Sequence, residues 1–344
     1  MLSSLKCSPV WRWTIRVFSS VRLWATWWSW NARASSAEPP PADETAVREA
    51  RVVVGRGVPE ILYPAYRQYV ASRVEVNDAM AALLAGSRLA AHTLSLTTGS
   101  TATLAQLYPA VPHIERFNLR SDAARVLLDN ADHHLASVAV PYALATHEDF
   151  VMEMLEFLKA EGRTLVTHGK SIRAWNMHTV LFETCGATEL EDWTQSFHVL
   201  REVRNCITHE GGGVSQKLRD AIADMGTDAR SGWERMNQGL ATETVEVNGR
   251  LALTAEHVFT AFAVTKRLGR EINAVLGREL DGAVWARVAV ADYDTGSSKV
   301  KNSSGWRRSL VGYVRQNYAQ ANITAADLEA AARHLGLWTI PRWS

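Results

Sequence analysis

At residues 191–213 the sequence reads EDWTQSFHVLREVRNCITHEGGG, an amphipathic helical pattern that ends in three glycines. At about 100° per residue, its large apolar side chains share one stripe, which has to be buried against other helices. Thr188 and Glu191 form a T-x-x-E capping box, so the helix is expected to begin near residue 189 and to end at 209 or 210. A half-buried helix in the middle of the chain predicts a mainly α-helical fold. The stripe consists of Trp193, Phe197, Leu200, Val203 and Ile207.

The segments that precede this helix have the same helical periodicity. Ser121 and Thr146 are expected to cap two of the helices, because their hydroxyl groups can accept a hydrogen bond from a free backbone N–H. The first segment predicts either one long helix or two successive helices. The expected helices cover residues 59–97, 121–138, 148–162 and 171–186.

The segments that follow predict a β-hairpin between helices. Asn248-Gly249 stands between two alternating segments, which is a strong signal for a tight turn. Thr254 is expected to begin a long helix that runs to about residue 277. Shorter helices are expected at 214–225, 308–320 and 325–335, and the inward side chains of the long helix are expected to be Phe259, Phe262, Ile272, Val275 and Leu276.

Three regions are expected along the chain. Residues 1–44 form a tryptophan- and arginine-rich N-terminal extension with a proline-rich linker, residues 45–280 a helical bundle, and residues 281–344 a C-terminal extension with two short helices. The first 37 residues contain six tryptophans and five basic residues, and no acidic residue precedes Glu38.

Four interpretations of this N-terminal extension remain open. A membrane-spanning helix is disfavoured, because three arginines interrupt the apolar run. A secretory signal peptide fits the apolar residues 23–30 and the small residues Ala32 and Ala34, and an organelle transit peptide fits the arginine- and serine-rich composition. The fourth interpretation is a disordered surface-binding extension or a translation-start artefact.

Composition and cysteine content limit the class of protein. The 344-residue chain is 47% hydrophobic with a formal net charge of +1, so an anionic partner has to be bound by a local patch. Cys7, Cys185 and Cys206 are widely spaced and form no zinc-binding pattern. We therefore expect a cytoplasmic protein without a metal, a cofactor or a stable membrane span.

The polar face of the 191–213 helix carries the candidate functional residues. His198, Arg201, Asn205 and His209 lie within about a quarter of its circumference, and Asn205 and His209 are i, i+4 neighbours. Arg204 instead projects within the apolar stripe. Its guanidinium cannot lose its charge there, so it must reach solvent, pair with a carboxylate or bind an anion.

The segment RNCITH, residues 204–209, resembles the R-x4-6-H motif of the HEPN superfamily, with a polar residue directly after the arginine. The pattern E-V-R-N-x-I-x-H-E-G-G is similar to that of HEPN proteins in bacterial defence and toxin systems, and the resemblance covers roughly residues 120 to 280. It implies a HEPN-like helical bundle that forms a homodimer with two motifs in one cleft. It also implies metal-independent endoribonuclease activity and an antitoxin or activator protein as a partner.

The resemblance gives each residue of the motif a role in RNA cleavage. His209 would accept the proton of the ribose 2′-hydroxyl, and Arg204 would stabilise the charge that builds on the phosphate. Asn205 would orient the histidine or bind the phosphate, and Arg201 and His198 would contact the RNA. The products would be a 2′,3′-cyclic phosphate and a 5′-hydroxyl. Gly211 replaces the tyrosine of the R-x4-H-x-Y pattern, so silencing by modification of that tyrosine is not expected.

Other interpretations of the same residues stay open. Arg204 could pair with an acid such as Glu183 or Glu191, while His209 caps the carbonyl end of its own helix. The chain would then be a catalytically inactive HEPN-like module that binds a nucleotide or a protein. A third interpretation is a structural helical protein held at a membrane surface by the N-terminal extension. Lys299, Lys301, Arg307 and Arg308 around Trp306 form either an accessory RNA contact or a solvated loop.

Overall fold

The structure is a computed structural model that describes residues 60–341 and residue 343. Helices dominate these residues, together with one two-stranded antiparallel sheet, so the expected mainly α-helical fold is confirmed. Single 3-10 turns lie at Ile114–Phe117, Thr242–Val245 and Ala319–Ala321. In chain order the elements are α1 (Pro64–Ser95), α2 (Leu104–Leu107), α3 (Ser121–Asp129), α4 (Ala131–Ala160), α5 (Met177–Thr184), α6 (Glu191–His209), α7 (Gln216–Ala223), α8 (Thr227–Met236), β1 (Glu246–Val247), β2 (Arg250–Leu251), α9 (Ala255–Glu279), α10 (Gly282–Gly296), α11 (Ser304–Asn317) and α12 (Ala325–His334).

Helices α4 and α9 form the centre of the bundle. Helix α4 packs against α1, α6 and α9, and α9 also packs against α6 and α8. Both central helices bury apolar side chains at intervals of three and four residues, which is the periodicity of one helix face. These side chains include Val140, Leu144, Val151 and Leu155 of α4 and Leu268, Ile272 and Leu276 of α9.

The β-hairpin packs against the loop that follows α6. Its register pairs Glu246 with Leu251 and Val247 with Arg250. Leu251 N–H donates to the carbonyl oxygen of Gly212 at 2.9 Å, and Val214 N–H donates to that of Gly249 at 3.0 Å. These bonds fix the hairpin beside the C-terminal end of α6.

The chain from residue 281 onward contributes to the same hydrophobic core as the preceding helices. Trp285, Trp306 and Trp338 are all buried, and α10 packs against α11 and α12. Asp292 of α10 forms an ion pair with Arg67 of α1 at 2.7 Å. This ion pair links the C-terminal helices to the first helix of the bundle.

Several local predictions are confirmed. Residues 64–95 form one long helix, α6 ends at His209, and Asn248-Gly249 is the turn of the hairpin. Thr254 is the N-cap of α9. The two short C-terminal helices are present at Ser304–Asn317 and Ala325–His334.

Two helix boundaries before α6 differ from the prediction. Ser121 is the first residue of its helix rather than the N-cap, which is Arg120, and this helix ends at Asp129; α4 then runs from Ala131 through Pro141 to Ala160 without a break at Thr146. The Thr146 hydroxyl donates to the carbonyl oxygen of Tyr142 at 3.1 Å, as a threonine inside a helix can do, and therefore does not cap a new helix.

The expected capping box of α6 is also wrong. The helix begins at Glu191, and its N-cap is Leu190, which makes no side-chain capping hydrogen bond. The neighbouring residue Glu189 bonds to the preceding helix, because its carboxylate accepts a hydrogen bond from the Thr179 hydroxyl at 3.0 Å. The preceding helix is confined to Met177–Thr184, because residues 171–173 are irregular and residues 174–176 form a turn.

Helix α10 was not predicted, and Phe259 was wrongly assigned to the core. The sequence of α10, GAVWARVAVADYDTG, is rich in alanine and β-branched residues and lacks an evident polar face. Phe259 is 42% exposed, whereas Phe262 and Ile272 of the same helix are buried. Hydrophobicity alone therefore did not determine which residues of α9 face inward.

No helix in the part of the chain that the structure describes is long and apolar enough to span a bilayer. The N-terminal extension and its interpretations lie outside the described residues.

Candidate functional site

Helix α6 places the candidate residues between a buried stripe and solvent. Phe197, Leu200 and Val203 are buried as expected, while Trp193 and Ile207 pack against the core from partly exposed positions. The helix ends where the backbone turns to positive φ, at 58° for Gly211 and 84° for Gly212. Gly212 N–H donates to the carbonyl oxygen of Cys206 at 2.9 Å, which satisfies a carbonyl of the last turn.

Arg204 forms an ion pair with Glu148 of α4. Its Nη2 lies 2.7 Å from Glu148 Oε1, and the two side chains are 27% and 22% exposed. The Nε of Arg204 is buried without a hydrogen-bond partner. Of the alternatives that the sequence left open, the structure shows carboxylate pairing, but with Glu148 rather than Glu183 or Glu191. The guanidinium is held in place with unused N–H donors.

Burial raises the pKa of Glu148, and Arg204 opposes that shift. The same burial effect raises the pKa of Asp149 and of Glu153, one turn further along α4. An anionic ligand would therefore have to compete with Glu148 for the Arg204 guanidinium.

Glu202 joins Arg201 and Asn205. Arg201 Nη2 donates to Glu202 Oε1 at 2.7 Å, and Asn205 Nδ2 donates to Glu202 Oε2 at 3.1 Å. The Glu202 side chain is only 8% exposed, so these two partners supply the hydrogen bonds that a buried carboxylate needs. The structure thus brings two of the predicted residues together through a carboxylate.

His198 lies on the inner edge of this face. Burial lowers its pKa to about 4, with a further decrease from Arg201 and an opposing increase from Glu202. Its Nδ1 is buried and has no hydrogen-bond partner. At neutral pH the ring is uncharged, so His198 can contact a ligand by hydrogen bonding but contributes no positive charge.

His209 is the last residue of α6 and is exposed. Within the described part of the chain its ring has no hydrogen bond or ion pair to another side chain. It follows Arg204 by five residues, which on an α-helix means a rise of about 7.5 Å and a rotation of about 140°. The two side chains therefore leave one helix in different directions.

A buried chain of hydrogen bonds lies beneath α6. The Tyr69 hydroxyl donates to the carbonyl oxygen of Thr265 at 2.6 Å and lies 2.9 Å from His147 Nδ1. His147 Nε2 lies 2.8 Å from His178 Nε2, and the His178 ring packs edge-on against Phe197 at 4.6 Å. This row of hydrogen bonds connects α1, α4, α5 and α9 under the candidate site.

The Tyr69 hydroxyl determines which atoms donate and which accept along this row of hydrogen bonds. Because its only proton goes to Thr265, it accepts from His147 Nδ1–H, and His147 Nε2 then accepts from His178 Nε2–H. Burial lowers the pKa of His178 to about 3 and that of His147 well below its usual value. Both rings are neutral, and His178 Nδ1 is left buried without a partner.

The sequence did not reveal Glu148 and Glu202 as partners of the candidate residues. Glu202 is adjacent to Arg201 and three residues before Asn205, so helix spacing could have identified it. Glu148 is 56 residues away from Arg204, and no local signal connects the two. The buried histidine pair joins positions 31 residues apart and is likewise a tertiary feature.

In residues 60–341 and at 343, no group of three or more histidine, cysteine, aspartate or glutamate side chains could hold a metal ion. No family model, curated protein or solved structure matches the chain.

Proposed function

We propose that this protein is a metal-independent endoribonuclease of the HEPN type, with Arg204, Asn205 and His209 as catalytic residues. The observation that carries the proposal is the state of Arg204, whose Nη2 is held by Glu148 while the side chain stays 27% exposed. A fixed guanidinium with spare donors suits the charge that develops on a phosphate during cleavage. In this proposal Arg201 and His198 contact the RNA beside the reacting phosphate.

His209 is the general base in this proposal. Its exposed ring can reach a ribose 2′-hydroxyl and remove the proton, after which the 2′-oxygen attacks the adjacent phosphorus. The P–O bond to the 5′-oxygen breaks, and that oxygen takes up a proton from solvent. The products are a 2′,3′-cyclic phosphate and a 5′-hydroxyl. DNA lacks the attacking hydroxyl and is not cleaved.

The active unit that we propose is a homodimer. Arg204 and His209 diverge on one helix by about 140°, so a second copy of α6 can present His209 to the phosphate that the first copy holds. The setting that we propose is a cytoplasmic defence or toxin system with RNA as the substrate. An antitoxin or activator protein would control the activity.

The alternative function is a catalytically inactive, HEPN-like dimerisation module that binds a nucleotide or a protein. The observation that favours it is the neutralisation of both guanidinium groups, Arg204 by Glu148 and Arg201 by Glu202. Two arginines that are already paired attract RNA less strongly than two free ones. Cleavage activity separates the two functions.

The first test is cleavage of a labelled RNA by the full chain in EDTA. A general base contributes about 100- to 10,000-fold, so His209→Ala should lower the rate by that factor. His92→Ala, which replaces an exposed histidine of α1, is the matched control and should cleave at the wild-type rate. Because Arg204→Gln alone would leave Glu148 unpaired, it is compared with the double variant Arg204→Gln/Glu148→Gln, and both should be inactive. Equal cleavage by wild type and His209→Ala would overturn the proposal.

Mixing two inactive variants tests whether the site is shared between subunits. If Arg204 of one subunit acts with His209 of the other, Arg204→Gln mixed with His209→Ala should recover about a quarter of the wild-type activity, because half of the dimers are mixed and each has one intact site. If each subunit carries a complete site, the mixture stays inactive. The mixing requires subunit exchange, which size-exclusion chromatography of differently tagged chains can verify.

A further inference from the structure

A pocket lies beside the C-terminal end of α6, between α4, the glycine loop and the β-hairpin. Its volume is about 190 Å³. His133 and Ser137 of α4, Arg250 of β2 and the backbone of Gly211 and Gly212 line it. None of these residues has a role in the cleavage that we propose.

Arg250 gives the pocket a positive charge. Its Nη2 donates to the carbonyl oxygen of Gly211 at 3.0 Å, which positions the guanidinium at the pocket and leaves its other N–H groups for a ligand. The guanidinium packs directly against Gly212, where an added Cβ would lie 3.5 Å from Nη2 and where the backbone has a φ of 84°. Among the described residues that line the pocket, none carries a carboxylate. An anion can therefore enter without meeting an acidic group.

His133 adds an uncharged donor. Leu253 N–H donates to His133 Nδ1 at 3.3 Å, so the neutral ring carries its proton on Nε2. Burial lowers the pKa of His133, as do His134 and Arg250, which favours the neutral ring. The Ser137 hydroxyl donates to the carbonyl oxygen of His133 at 2.8 Å and can rotate toward a ligand.

The size of the pocket limits the ligand. Sites for whole drug-sized molecules have volumes of about 300–1,000 Å³. At about 190 Å³ the pocket is smaller than these sites, which suits a small polar group such as a tetrahedral oxyanion rather than a whole nucleotide.

We propose that this pocket binds the phosphate group of a phosphomonoester, with Arg250 and His133 as hydrogen-bond donors. The rest of the ligand extends into solvent past the glycine loop. The guanidinium binds two phosphate oxygens through paired hydrogen bonds, as arginine does in phosphate sites. Binding does not depend on RNA cleavage.

The test is isothermal titration calorimetry of the full chain with inorganic phosphate, adenosine 5′-monophosphate and adenosine. Phosphate and the nucleotide should bind, and adenosine should not. Arg250→Gln should weaken both interactions about tenfold or more, because a charged hydrogen-bond partner is lost. Arg235→Gln, which removes an exposed arginine of α8, is the matched control and should bind like the wild type.

Two further variants make the result decisive. Ser137→Asp places a carboxylate in the pocket and should abolish phosphate binding even if Arg250→Gln disturbs the glycine loop. His209→Ala alters the proposed nuclease site but none of the residues that line the pocket, so phosphate binding that persists in this variant does not depend on the nuclease. Absence of phosphate binding to the wild type, equal binding by Arg250→Gln, or equal binding of adenosine and its monophosphate would overturn the proposal.

Discussion

Replacing His178 should make the protein less sensitive to acid. His178 and His147 are buried and neutral, and burial lowers the pKa of His178 to about 3. In the unfolded chain each histidine titrates near pH 6.5. As the pH falls below about 6.5, the unfolded chain binds protons that the folded chain does not, so the free energy of unfolding decreases. The stabilisation from the two neutral histidines is therefore complete above about pH 6.5 and is lost as the pH falls toward their pKa in the folded protein.

The linkage relation gives the size of the effect. Between pH 7 and pH 5, one histidine with an unfolded pKa near 6.5 that stays neutral in the fold costs about 2 kcal/mol of stability. His147 and His178 together therefore cost about 4 kcal/mol over this range, a large part of the roughly 5–15 kcal/mol of a typical domain. In His178→Gln, one of the two titrating groups is absent, and the amide can still donate to His147 Nε2.

The assay is urea unfolding followed by circular dichroism at pH 7, 6 and 5. The decrease in the free energy of unfolding from pH 7 to pH 5 should be about 2 kcal/mol smaller in His178→Gln than in the wild type. Carboxylates titrate in both proteins and cancel in the comparison. His92→Gln replaces an exposed histidine and should show the wild-type decrease. Equal decreases in His178→Gln and the wild type would refute the assignment of His178 as a neutral buried ring.

Three further substitutions test contacts that support the site and the fold. Glu148→Gln should change the free energy of unfolding at pH 7 by less than about 1 kcal/mol, because burial, which raises the Glu148 pKa, offsets the attraction to Arg204 and the amide keeps a hydrogen bond to it; a loss of about 2 kcal/mol or more would contradict that balance. Gly269→Ala should cost about 1–3 kcal/mol, since the added methyl group overlaps the Tyr69 ring; a wild-type melting curve would contradict that packing. Asp292→Ala should cost about 3 kcal/mol, because Arg67 and two tyrosine hydroxyls lose their acceptor; a loss below 1 kcal/mol would show that the hydrogen bonds are replaced.

Features set by neighbouring residues were predictable from the sequence. The end of α6 follows from the run of glycines, and the hairpin follows from Asn248-Gly249, because both depend on the conformations available to a few adjacent residues. The buried stripe of α6 follows from helical periodicity. The exposed position of His209 agrees with its place on the polar face of that helix.

Features set by tertiary contacts were not predictable in the same way. Thr146 has the chemistry of an N-cap, but its neighbours continue the helix and its hydroxyl bonds within it. The partner of Arg204 is on another helix, and pairing with Glu148 rather than Glu183 or Glu191 depends on how α4 packs against α6. The neutral histidine pair likewise exists only because several helices, α1, α4, α5 and α6 among them, pack around it.

The most direct test of the proposed function is the chemistry of the RNA ends. The full chain is incubated with a defined RNA in EDTA, and the products are identified by mass spectrometry beside those of His209→Ala and an all-DNA control. The proposal predicts 2′,3′-cyclic phosphate and 5′-hydroxyl ends with the wild type alone, and no cleavage of DNA. Products with 5′-phosphate ends, cleavage of DNA, or no cleavage of RNA by the wild-type protein would contradict it.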